Sequence, residues 1–207
     1  MQKEGEEKVK LKDLLSTRIF FIFLLLMFCG GAAEQAIVQW SSAYAELGLN
    51  IDKTFGDIIG TAMFALLMGT SRVIYSICHK KIHLLKFMML SMILLVASYL
   101  LASLSVNPWL SLLGCAMTGF ASGIVWPGTL SLTSRYVKAS TAMYALLAFT
   151  GDIGCTVGPW TTGLITDITG NMQDGFLIST IYPLITVLAL IIIWFYRKKV
   201  KENEIKK

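Results

Sequence analysis

The hydrophobic positions of this chain fall in long unbroken blocks rather than in narrow stripes. No charged residue occurs from Phe87 to Ser134, and Asn107-Pro108 divides that block in two. Gly175–Tyr196 is a second uncharged run and Ile19–Ala33 a third, which polar residues extend to Ala45. A helix crosses the hydrocarbon core with roughly 20 mainly apolar residues. Inside lipid every backbone amide must be satisfied within the segment, which makes helix the form to expect. The pattern predicts six spans, at about 19–45, 54–76, 84–106, 108–134, 140–166 and 176–196. The connections between them are short and carry Asn, Pro, Gly and Asp, as turns do. The first span is too long for a signal peptide, and five more follow it.

Composition agrees with this pattern. Of 207 residues, 55% are hydrophobic and only 15% charged, too few charges to cover the surface of a soluble domain. The fold class expected is therefore all-α and integral to the membrane. A charged segment, 1–16, precedes a bundle at 17–196, and a basic tail, 197–207, follows it.

The basic residues add an orientation. Lys3, Lys8, Lys10, Lys12 and Arg18 precede the first span; Arg72, Lys80, Lys81 and Lys86 flank the second loop; Arg135 and Lys138 mark the fourth; the rest follow the last span. Only Lys53 of the 18 Lys and Arg falls on the other side. The positive-inside rule then puts both termini in the cytoplasm of a multi-pass protein of the inner (plasma) membrane. A net charge of +5 calls for no nucleic-acid partner, because a cytoplasmic face beside anionic lipid accounts for it. Cys29, Cys78, Cys115 and Cys155 show no spacing for a metal or a disulfide.

Polar groups inside the spans carry the functional signal. A charge at the bilayer centre costs about 2.5–3.5 kcal/mol on insertion scales, so it marks a candidate site. Glu34 in the first span and Asp152 in the fifth lie near mid-span; Asp57 is nearer an end. At helical spacing Gln35, Gln39, Ser42 and Glu46 form one stripe with Glu34 and Ser41 beside it, while Ile37, Trp40 and Tyr44 fall opposite. A membrane helix with a polar half turns it toward protein or a wet cavity. Trp126 and its neighbouring Thr and Ser residues repeat the pattern more mildly in the fourth span, beside Pro127. Carboxylate, amide, hydroxyl and indole groups at membrane depth suit a small hydrophilic solute and a proton. The bland reading is that Glu34 and Asp152 only stitch helices together. Gly56-x-x-x-Gly60, Gly119-x-x-x-Gly123 and Gly154-x-x-x-Gly158 read as close-packing motifs.

An intramembrane enzyme fits poorly. A membrane serine protease needs a histidine at depth, but the only histidines, His79 and His83, sit in a loop among lysines, and no acid–His–Cys cluster has metal spacing. No cofactor or metal is expected.

These residues bring a family into view. Phe149-Thr-Gly-Asp-Ile-Gly-Cys-Thr-Val-Gly-Pro-Trp-Thr-Thr-Gly163 resembles a Gly-Asp-x-Gly-x-x-x-Gly-Pro segment in the eleventh helix of many major facilitator superfamily transporters. Gly30-Gly-Ala-Ala-Glu-Gln-Ala-Ile-Val-Gln-Trp40 is similar to the seventh helix of the sugar-permease-like members. Gly69-Thr-Ser-Arg72 with Lys80-Lys81 resembles the family's cytoplasmic loop signature, although Ser71 stands where that signature has Asp. The chain thus resembles the C-terminal six-helix half of such a carrier. The resemblance implies that Glu34, Gln35, Gln39 and Trp40 line a central cavity, that Trp126 contributes from the tenth helix, and that Asp152 sits more peripherally. It also implies a lipid bilayer, a small-molecule solute, proton-coupled symport, and a second six-helix half from a separate chain or a second copy. The competing expectation is a non-transporting membrane protein or a truncated remnant of a carrier.

Overall fold

A computed structural model describes residues 11–205, with side chains described for 14–198. Most of the charged N-terminal segment and the last two residues lie outside this range. The described residues are helical almost throughout: a short helix, Leu11–Ser16, precedes α1 (Arg18–Gly48), α2 (Lys53–Cys78), α3 (Leu84–Leu104), α4 (Pro108–Thr133), α5 (Thr141–Thr169) and α6 (Met172–Lys198). The helix of α6 continues to Ile205, through most of the expected basic tail. Among the described residues, five of the six long helices are apolar enough to cross a membrane; α5 has the length, at 29 residues, but not the hydropathy.

The helix starts follow from the turn residues. Side chains of Asp52, His83, Asn107, Ser140 and Asn171 each accept a backbone N–H of the first turn that follows, of Thr54, Leu85, Trp109, Met143 and Gln173. These caps satisfy donors that a helix start leaves open. Pro108 opens α4, where a missing N–H costs nothing. Gly170 ends α5 at φ 70°, a left-handed position suited to glycine. Helix α4 is interrupted at Gly123–Ile124. The facing ends of α1 and α2 widen into π-helical turns, Tyr44–Gly48 and Gly56–Ala62.

Helix α1 is the hub. Its main partner is α5, and α2, α4 and α6 also pack on it. Glycine makes the α1–α5 contact possible: a Cβ on Gly154 or Gly158 would overlap the carbonyls of Phe28 and Ala32. The two other motifs work alike, Gly56 and Gly60 against Ser42 and Ser41 of α1, Gly119 and Gly123 against Phe64 and Met68 of α2. Around these seams Phe20, Phe23, Met27, Met92, Leu112 and Phe176 form a fully buried core. Two buried tyrosines tie α1 to α3 reciprocally: Tyr44 donates to Ala102 O at 2.7 Å, and Tyr99 donates to Ala33 O at 2.6 Å.

Candidate functional site

The polar stripe of α1 comes out where the period of the helix puts it. Gln39 and Glu46 are exposed and Gln35 and Ser42 half-buried, whereas Ile37 and Tyr44 on the opposite side are buried. Phe21, Leu25 and Phe28 continue this open face toward the N-terminus as an apolar strip. One side of the hub helix is therefore open toward both ends, polar in one half and apolar in the other, with residues 29–33 buried between them.

Glu34 sits at the edge of this face. Its side chain is half-buried, and its Oε2 is buried with no hydrogen-bond partner among the described residues. One turn earlier, Gly31 lies against the Gly151 carbonyl and Cys155 Sγ of α5. Helices α1 and α5 thus meet closely one turn before this acid. Three more buried polar atoms lack described partners, Trp126 Nε1, Thr129 Oγ1 and Ser71 Oγ, on α4 and α2.

The remaining candidates separate into two groups. Trp126 is half-buried with its ring against Gly151, a glycine that also faces α1 through Gly31. Trp40 turns instead toward α5: its indole N–H donates to Pro159 O at 3.0 Å and its ring covers Gly163. It lies on the side of α1 away from the amide stripe. Asp152 is exposed on α5 together with Phe149 and Trp160.

Gly69 and Arg72 lie within the helix Met63–Cys78 rather than in the turn, which spans 79–83. A Cβ on Gly69 would meet nothing within 4 Å. Arg72 crosses to α4, where its Nε donates to Gly123 O at 2.9 Å. Proline at position 127 has no N–H, so it cannot give Gly123 the helical i→i+4 bond, and the arginine supplies a donor instead. The sequence contained the signal for this contact: a proline four residues after a glycine inside a span leaves a carbonyl open, and an arginine near the end of a neighbouring span can reach it.

The sequence and the fold both have counterparts among known proteins. The family described as Major Facilitator Superfamily matches residues 2–159 and, in a second overlapping alignment, 59–207. The chain belongs to the major facilitator superfamily. No curated protein matches it by sequence. Among solved structures, this superfamily member resembles a variant form of the E. coli fucose:proton symporter FucP, with a TM-score of 0.79 at 15% identity over 91% of the chain. It also resembles FucP in the outward conformation, with a TM-score of 0.81 at 15% identity over 92% of the chain. At that identity the likeness is one of fold. In each case the chain spans 47% of the length of the protein it matches.

Proposed function

We propose that this chain forms one half of a secondary carrier that moves a small hydrophilic solute together with a proton. The observation that carries the reading is Glu34: a buried carboxyl oxygen without a described partner, on the hub helix, at the border of an uncovered face that presents Gln35, Gln39 and Ser42. A carboxyl held in a dry site is neutralised readily and takes or gives a proton when water reaches it. The amides beside it offer donors and acceptors to a polyhydroxylated solute. Trp126 adds an indole N–H with no partner among the described residues.

In this reading α5 crosses the membrane as a sixth span, with its Gly seam held by α1 and its threonine hydroxyls donating back to its own carbonyls. The termini then share the cytoplasmic side with 17 of the 18 Lys and Arg, all but Lys53. The open face of α1 is one wall of the solute path, and a complementary six-helix half supplies the other. Fucose, the sugar for which the E. coli neighbour is named, is the first to try.

The test is uptake in vesicles carrying the assembled carrier, under an imposed pH gradient, with fucose and other monosaccharides. Wild-type protein should couple sugar entry to proton entry. Glu34→Gln should keep the fold and lose the response to the gradient. Gradient-driven uptake that survives in Glu34→Gln removes this residue's role, and no uptake of any solute by a folded assembly removes the transport reading.

A further inference from the structure

At the end of the bundle that carries Lys80 and Lys81, three helices enclose a cleft of about 250 Å³ lined by His83, Leu132, Arg135, Tyr136 and Arg197. His83 comes from the start of α3, Arg135 and Tyr136 from just beyond α4, and Arg197 from the end of α6. Leu132 is 2% exposed and closes the cleft toward the core. Among the described residues, the lining brings two guanidiniums and an imidazole together without a carboxylate.

The hydrogen-bond chemistry of this lining is rich in donors. A guanidinium offers only donors, and a neutral imidazole has one acceptor nitrogen. Two donors converge on that imidazole. Leu85 N–H points to His83 Nδ1 at 3.3 Å, and Arg197 Nη1 lies against Nε2 and 3.4 Å from Nδ1. Tyr136 stands between the charges. Its ring is gripped by Phe23 and Tyr196, with centroids 5.8 and 6.1 Å away. Burial raises the pKa of its hydroxyl, while Arg197 and Arg135 pull it down. A tetrahedral anion with several acceptor oxygens fits this donor set, and phosphate is the group whose geometry paired arginines match.

The surroundings indicate what carries the phosphate. Trp194, Phe195 and Tyr196, immediately before Arg197, are 40%, 59% and 44% exposed. An exposed aromatic run at the end of an apolar helix marks the level of the lipid headgroups. We propose that this cleft binds the phosphate of an anionic phospholipid, with Arg135 and Arg197 on its oxygens and the 194–196 aromatics against its glycerol and upper acyl region. Basic clefts between membrane helices take such headgroups by this logic. The proposal is independent of the transport reading.

The test titrates the purified full chain, in neutral detergent, with phosphatidylglycerol and with phosphatidylcholine while following thermal unfolding. Phosphatidylglycerol should raise the midpoint and phosphatidylcholine should not. Arg135→Gln and Arg197→Gln should each weaken the phosphatidylglycerol titration about tenfold, the order expected for one charge-assisted hydrogen bond. The double variant Lys80→Gln/Lys81→Gln, which removes two charges from the same end outside the cleft, should titrate as wild type. An equal loss in the lysine variant overturns the site in favour of diffuse attraction. The same stabilisation by millimolar inorganic phosphate or glycerol phosphate overturns the lipid assignment. Should an arginine variant fail to fold, native mass spectrometry of wild type decides: preferential retention of phosphatidylglycerol supports the cleft, and equal retention of both lipids overturns it.

Discussion

The Arg72 guanidinium serves the Gly123 carbonyl, 2.9 Å away on a neighbouring helix, at the position that Pro127 leaves without a helical donor. This contact joins α2 to the break in α4.

Removing that arginine should be destabilising by about 1.5–3 kcal/mol, the value of a hydrogen bond to a charged donor. The informative form is a double-mutant cycle. Pro127→Ala restores an N–H four residues after Gly123, so Arg72→Ala should cost about 1 kcal/mol less in that background. Denaturation of the detergent-solubilised chain by sodium dodecyl sulfate measures both. Equal costs in the two backgrounds would show that the arginine does not stand in for the missing amide.

Two helical glycines should respond in opposite directions. Gly158→Leu forces α5 away from the Ala32 carbonyl of α1 and should lose ~3 kcal/mol or more. Gly69→Ala meets nothing within 4 Å and replaces a poor helix former in the middle of α2, so it should gain up to ~1 kcal/mol. The same denaturation series reads both, and a destabilised Gly69→Ala would mean that α2 needs that glycine for a contact beyond this chain.

Acid should weaken the turn between α1 and α2. The Asp52 carboxyl accepts hydrogen bonds from Thr54, through its side chain and its backbone, and these hold its pKa below the ordinary value. A depressed folded pKa gives stability that is present above the unfolded value, about 3.9, and is lost as pH falls through the lower folded value. Asp52→Asn keeps the capping acceptor and removes the titration. Thermal midpoints between about pH 2 and 6, the range that brackets this titration, should therefore fall more steeply in wild type than in the variant. Parallel curves would contradict the cap's titration.

Much of the architecture was legible in the sequence because the bilayer simplifies the code. Five of the six expected spans fall on helices long and apolar enough to cross a membrane and the sixth on α5, with starts within about four residues, since apolar length sets one limit and Asn, Asp, Ser and His caps set the other. The last helix runs on past its expected end. The open stripe of α1 followed from periodicity alone, and the three small-residue motifs all mark interhelical seams. What periodicity does not carry is the identity of the opposing helix. Trp40 falls opposite the amide stripe by periodicity, but the carbonyl its indole meets there, that of Pro159, lies 119 residues away in sequence. Asp152 lies at mid-span but on the exposed side of α5, because Gly154 and Gly158 turn the other side of that helix toward α1. Arg72 belongs to a helix that continues past the expected loop signature, and its partner lies 51 residues away in sequence.

The glycine seam between α1 and α5 also bears on how such a chain is made. Helix α5 is the least apolar of the six long helices and carries Asp152 near its middle, so it gains less than the others by entering lipid alone. Helix α1 is synthesised well before it and is strongly apolar, so it stands ready in the bilayer when α5 emerges. The surface that accepts Gly154 and Gly158 then serves as an escort, and the order of the helices along the polypeptide becomes part of the information needed for biogenesis.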